Sequence, residues 1–146
     1  KFTDRQRAVY NSVYSVMQDA MKLLRPGVSL HEYHKQVGEL MTKQLLELKL
    51  IDKHDVSKQS ASSPAYKKYF MHGTSHFIGL DVHDVGHWQN PIQAGNVFTC
   101  EPGIYIPEEG LGIRLENDIV ITENGFVDLM AHIPIEAEAI EESMNS

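Results

Sequence analysis

The sequence predicts an α+β fold in which two helices pack on a mainly antiparallel sheet. Three observations predict it. Residues 1 to 50 hold two long segments of helical periodicity, the chain beyond residue 70 breaks into short β-type runs divided by glycine and proline, and one cysteine leaves cohesion to an apolar core. Two helices followed by strands joined through turns place the helices together on one face of the sheet.

The first segment, "FTDRQRAVYNSVYSVMQDAMKLLRPG", opens with Thr3 and Gln6 in capping-box spacing. Val9, Val13, Val16, Met17, Ala20 and Leu24 recur on one helical face until Pro26-Gly27 ends the pattern. The second segment opens with Ser29 and Glu32 in the same spacing, flanked by Val28 and Tyr33 as a hydrophobic staple. It carries Tyr33, Val37, Leu40, Met41, Leu45 and Leu48 on one side and is expected to end near Leu50. Residues 52 to 64, "DKHDVSKQSASSP", are polar and aperiodic and read as a surface loop. The runs "HFIGLDVH", "NVFTCE", "GIYI", "GIRLENDIVIT" and "FVDLM" read as strands, and the acidic end "IEAEAIEESMNS" as a fraying tail.

At 146 residues, 42% hydrophobic and 23% charged, the chain has an ordinary globular balance. Thirteen basic against twenty acidic residues give a net charge of −7, which repels phosphate backbones and argues against nucleic-acid partners. No apolar run approaches the roughly 18 residues that span a bilayer, so no membrane partner is expected. Cys100 has no internal disulfide partner, which suits a reducing, cytoplasmic setting.

The stretch "HGTSHFIGLDVHDVGH", residues 72 to 87, packs four of the eight histidines and two aspartates into sixteen positions. Strand alternation in "VFTCE" puts Val97, Thr99 and Glu101 on one face and Phe98 with Cys100 on the other, so Cys100 is expected as a buried, inert thiol. In "GIRLENDIVIT", Ile113, Leu115, Asn117, Ile119 and Ile121 share the apolar face, while Arg114, Glu116 and Asp118 look the opposite way. Two glutamates opposite apolar rows, near a histidine cluster and an "EPG" turn, point to a cation site. Carboxylate-rich ligation suits a hard or borderline ion, manganese rather than a thiolate-loving metal. Asp81, Asp84 and His87 read as turn and edge residues, and His31, His34, His54 and His132 as residues outside the site.

The motifs "HGTSHFIGLDVHDVG", "CEPGIYI" and "GIRLENDIVIT", in this order and separation, resemble the carboxyl-terminal part of the catalytic domain of Xaa-Pro aminopeptidases (aminopeptidase P), within the pita-bread metallopeptidases. The resemblance covers nearly the whole chain and implies half of a pita-bread fold. It further implies a centre of two divalent metal ions with His76, Glu101 and Glu116 as ligands, Glu101 also serving as general base and Glu116 bridging the ions. By the same resemblance His72 and His83 contact the substrate or shuttle protons, and Arg114 supports the site. The implied reaction removes an amino-terminal residue from a peptide with proline at the second position.

Two aspartate ligands that the family carries on strands before the first helix have no counterpart here, since Asp4 and Asp19 fall at or within helix. Residues 1–146 therefore read as a carboxyl-terminal fragment, expected to be inactive by itself and to bind divalent metal weakly or not at all. An apolar sheet surface that normally meets the other half suggests a homo-oligomer. Prolidase is the rival enzymatic reading, with Ser75 and "GLGIRLENDIVIT" leaning towards aminopeptidase P. A metal-free peptide-binding or protein-binding module is the other alternative, disfavoured because all three ligand positions remain.

Overall fold

A computed structural model describes residues 1 to 145. Helix α1 spans Asp4–Leu23, and both halves of its capping box form: Thr3 Oγ1 accepts from Gln6 N, and Gln6 Oε1 accepts from Thr3 N. Its buried face carries Val9, Val13, Val16, Met17 and Ala20, as the periodicity predicts. Helix α2 spans Leu30–Glu47 with Ser29 as its cap. Here the box is only half made, because Glu32 instead accepts from Gln36 one turn on, at 2.8 Å.

Helix α2 stops three residues short of the expected Leu50. The stop is a Schellman motif in which Leu50 N–H reaches the Leu45 carbonyl at 2.9 Å and Lys49 N–H reaches Leu46 at 3.1 Å. Lys49 takes the left-handed conformation, φ 58°, that glycine normally supplies at this place.

Residues 52 to 64 are not all loop. Helix α3 spans Lys53–Lys58, closed by a reciprocal box between Asp52 and Asp55. It buries no residue, so hydrophobic periodicity could not announce it; the acidic cap pair was its only signal. A short 3₁₀ turn at Ala65–Lys68 then leads into the histidine-rich segment.

That segment is not a strand. It touches the sheet through one isolated bridge, Phe77 to Phe98, and then loops out through residues 78 to 88. Asp84 closes the loop, its carboxylate accepting from Leu80 N at 2.8 Å and Val85 N at 2.7 Å, so backbone donors go to a side chain rather than to a neighbouring strand. Gly86 lies against the Phe77 ring, where any Cβ would overlap the aromatic carbons.

The strands are β1 Val97–Cys100, β2 Gly103–Ile106, β3 Leu111–Arg114, β4 Asn117–Thr122 and β5 Gly125–Asp128. All pairings between them are antiparallel, in two sheets ordered β1-β4-β5 and β2-β3. The run "GIRLENDIVIT" is thus divided between sheets at Leu115-Glu116, although its alternation persists: Ile119 and Ile121 are buried, and Arg114 and Glu116 are exposed. Helices α1 and α2 join Phe98, Cys100, Ile104, Ile106, Ile119 and Ile121 in a single apolar core.

The tail expected to fray forms helix α4, Ala137–Ser143. Ala137 is buried, Tyr10 Oη donates to the Ile135 carbonyl at 2.7 Å, and Arg7 reaches both Glu138 and Glu141 at 2.6 and 2.7 Å. Acidic residues that look solvated in sequence find their partner on α1. These two clusters of tertiary contact, not local propensity, order the segment.

Replacing Lys49 with glycine should relieve the left-handed strain and raise unfolding free energy by about 1 kcal/mol in urea titration. No gain would mean that the Lys49 side chain offsets the strain through contacts of its own.

Candidate metal centre

The site forms where the chain passes from one sheet to the other. The ladder β1–β4 ends at Cys100 opposite Asn117, and β2–β3 begins at Gly103 opposite Arg114. Both pairings keep one register, which sets Glu101 directly across from Glu116 at the gap. Pro102 occupies that gap without an N–H to donate, while its carbonyl accepts from Leu115 N at 3.2 Å. Cross-strand partners project to the same side, so two carboxylates face each other there.

His76 is the third donor. Its segment runs beside β1, with Thr99 N donating to the His76 carbonyl at 3.1 Å and Glu101 N to the Thr74 carbonyl at 2.8 Å. His76, Glu101 and Glu116 each offer a ligand atom, and these atoms all lie within 4.8 Å of one another. Side-chain exposure is 13% for His76, 12% for Glu101 and 38% for Glu116, so the cluster opens to solvent on the Glu116 side.

His76 Nδ1 lies 2.9 Å from the Phe77 carbonyl. A carbonyl can only accept, so the proton of the neutral ring sits on Nδ1 and Nε2 presents its lone pair. That lone pair is 3.2 Å from Glu101 Oε1. Two lone pairs at this distance repel unless a proton or a cation lies between them. With two carboxylates also facing each other, the donor set fits a divalent cation by its own chemistry: one oriented imidazole and two carboxylates, a hard-to-borderline set.

Around the donors, the buried Thr99 hydroxyl accepts from His76 N at 3.2 Å and donates to Glu101 Oε1 at 3.4 Å. Arg114 stands beside both glutamates, 3.8 Å from Glu101 Oε2 and 3.9 Å from Glu116 Oε2. With a half-exposed side chain, it offsets part of their charge without neutralising the pair. His83 stacks on His76, centroids 4.2 Å apart and planes 18° from parallel, so the 78–88 loop brings an exposed imidazole to the centre.

His72 lies outside the three-donor group. Its Nδ1 donates to the Gly73 carbonyl and its Nε2 is hydrogen-bonded to Tyr105 Oη, each at 2.8 Å, while its ring packs edge-on against Phe70. No sequence motif points to Tyr105, although alternation along "EPGIY" places it on the face of Glu101. Gly103 makes room for it, since a Cβ there would stand 2.7 Å from the Tyr105 hydroxyl. Thr99 carried the same signal, having been read on the face of Glu101.

His34, expected outside the site, holds the segment that carries His76: Thr74 N donates to its Nδ1 at 3.2 Å. Burial, and secondarily the nearby His31, lowers the affinity of this ring for a proton. Asp84 is the turn residue the sequence suggested. Cys100 is fully buried, with its thiol pushed up to about 12, chiefly by desolvation, which makes it inert as expected.

Comparison with known proteins agrees with this architecture. Residues 1–123 match the profile described as metallopeptidase family M24. The Xaa-Pro aminopeptidase of Escherichia coli is 41% identical over 99% of this chain and 35% of its own length, and that of Haemophilus influenzae is 38% identical over 99% and 36%. Among solved structures, E. coli aminopeptidase P with the inhibitor Pro-Leu superposes with a TM-score of 0.86 at 39% identity, and proline aminopeptidase P II from Yersinia pestis with 0.87 at 37%. Each alignment covers 99% of this chain. The chain spans about a third of the length of these relatives.

Neutral His34 is required to accept from Thr74 N–H, and its folded-state proton affinity lies below the ordinary value of about 6.5. Its contribution is therefore present above pH ~6.5 and is lost as pH falls from there towards the lower folded value. We expect the loss of unfolding free energy between pH 7 and 5 to be smaller in His34→Asn than in the parent, measured by urea denaturation; equal pH slopes would remove His34 as the cause. By its sequence match and its fold, this chain belongs to metallopeptidase family M24.

Proposed function

We propose that residues 1–146 are the carboxyl-terminal portion of the catalytic domain of a metal-dependent Xaa-Pro aminopeptidase. The observation that carries the reading is the convergence of His76, Glu101 and Glu116 at the gap between the two sheets. The names of the relatives support the substrate class, a peptide with proline at its second position. Their extra length supports the fragment reading, because three donors leave a two-ion centre short of ligands and of negative charge.

His76, Glu101 and Glu116 would hold two divalent ions, with manganese favoured by the oxygen-rich donor set. Bound ions of this kind act as Lewis acids and lower the pKa of a water they share. Glu101 has the role of general base: its Oε1 is already directed into the centre, and Thr99 holds it there. The proton on Nδ1 commits the His76 lone pair to the opposite nitrogen, so the ring needs no rearrangement before it ligates. Arg114 tempers the repulsion between the glutamates while leaving their inner oxygens free.

His83 is exposed beside His76 and can meet the peptide directly. His72 contributes through a ring oriented by the Gly73 carbonyl and the Tyr105 hydroxyl; exchanging the Tyr105 hydroxyl for a peptide group would bring that ring into contact with substrate.

Hydrolysis of an Xaa-Pro tripeptide with added manganese tests the reading. The isolated chain should show no turnover above the blank. In the intact protein, Glu101→Gln should lower kcat by ~10²–10⁴-fold, the span expected for losing a general base. Turnover by the isolated chain near that of the intact protein would refute the fragment reading, and cleavage of Xaa-Pro dipeptides alone would redirect the assignment to prolidase.

Leu80, Val82, Val85 and Trp88 on the loop, with Val127, Leu129 and Ile133 beyond β4, are exposed. This much uncovered apolar surface supports self-association of the isolated chain. Sedimentation velocity should show a dimer or larger species, and a strictly monomeric profile across concentration would exclude it.

A further inference from the structure

Two ligands, His76 and Glu101, lie on segments whose mutual register is weakly fixed. Around the isolated Phe77 to Phe98 bridge, the bonds joining residues 74–77 to β1 and Glu101 are Thr99 N to the His76 carbonyl, Glu101 N to the Thr74 carbonyl and His76 N to Thr99 Oγ1. A slip of one residue would turn His76 away from Glu101 and present Ser75 in its place, because successive side chains project to opposite faces. These three bonds are few for a segment outside the sheet, and α2 adds a further hold.

Tyr33, in the first turn of α2, is completely buried in the apolar core. Its hydroxyl accepts from Ser75 Oγ at 3.1 Å and lies 3.7 Å from Cys100 Sγ. Ser75 directly precedes His76, and Cys100 directly precedes Glu101. We propose that the Tyr33 hydroxyl is a positioning group for the metal centre, pinning the two ligand-bearing segments to α2 and to each other in the register that brings His76 and Glu101 together.

A phenylalanine would fill the same space without burying a hydroxyl, and a buried hydroxyl carries a desolvation cost unless it is paired. Desolvation holds Tyr33 well above its ordinary titration range, so the group stays neutral and can both accept and donate. Ser75 and Cys100 are themselves buried at 4% and 0% exposure, so water does not compete for these contacts. The adjacent His34 to Thr74 bond draws the same segment to the same helical turn. A slip would break both links at once, and it is this pairing of two adjacent helical residues with two adjacent segment residues that makes the register unique.

The proposal rests on His76 and Glu101 being ligands, and the experiment separates the two claims. Manganese affinity of the intact protein is measured by titration calorimetry for the parent, Glu101→Gln, Tyr33→Phe, Ser75→Ala and the Tyr33→Phe/Ser75→Ala pair. Loss of binding in Glu101→Gln supports the ligand reading; a parent that binds no manganese overturns both claims. Tyr33→Phe should weaken binding by roughly tenfold, as for other groups that orient ligands from outside the metal's reach. Ser75→Ala, which leaves the Cys100 contact in place, should weaken binding no more than Tyr33→Phe, and the pair should be no worse than Tyr33→Phe alone, since both changes remove the same Ser75 to Tyr33 bond.

A metal-free readout accompanies this: ¹⁵N-detected imidazole signals of His76 in residues 1–146. The parent should show one Nδ1–H species, and Tyr33→Phe a second population. Should Tyr33→Phe fail to fold, Ser75→Ala carries the same comparison. Affinity within twofold of the parent, with unchanged His76 signals, would reduce Tyr33 to a packing residue and overturn the proposal.

Discussion

Two carboxylates held opposite each other are the constraint around which this structure is organised. Directly paired like charges destabilise a β-ladder, yet Glu101 and Glu116 occupy the cross-strand position at which the ladder is interrupted. The interruption and the charge pair belong together. Pro102 removes one backbone donor, and the strands leave one sheet for the other on either side of the pair. A single half-exposed arginine at 3.8 and 3.9 Å is weak compensation for two carboxylates. His76 Nε2, 3.2 Å from Glu101 Oε1, brings a third donor atom to the same gap.

The surrounding elements serve to keep that arrangement from relaxing. Apolar residues of α1 and α2 cover one side of the strands, and the hydroxyl of Thr99 links the backbone of His76 to the side chain of Glu101. From α2, His34 and Tyr33 reach the segment just ahead of His76. The segment that carries His76 is thus fastened by side chains as well as by its two backbone bonds to β1 and Glu101. The side-chain bonds add specificity to a short stretch of backbone pairing.

The loop that follows needed freedom from the sheet. If residues 76 to 83 had continued as a strand, successive side chains would alternate and His83, seven positions on, would face away from His76. Closing the chain through Asp84 folds it back instead, so the two imidazoles stack. The same device explains why the β-reading of "HFIGLDVH" fails: its β-branched and aromatic residues match a strand, but Asp84 takes the amides that a neighbouring strand would need.

Much was legible in the sequence because it depends on local periodicity. Capping spacing and a 3.6-residue apolar repeat placed α1 and α2, and a two-residue repeat put Glu101, Arg114 and Glu116 opposite the apolar rows and Cys100 within them. The grouping of His76, Glu101 and Glu116 is implied only by the resemblance of three motifs, because alternation states which way a side chain points but not what it meets. Helix α4 and α3 escaped for want of an apolar face, one being ordered by Arg7 and Tyr10 from the far end of the chain and the other by its own acidic cap. The 4.8 Å convergence, the tautomer of His76 and the supporting places of Tyr33, His34, Thr99 and Tyr105 were decided only by the tertiary structure. Each of these joins residues remote in sequence or depends on a hydrogen-bond partner, and neither quantity has a period along the chain.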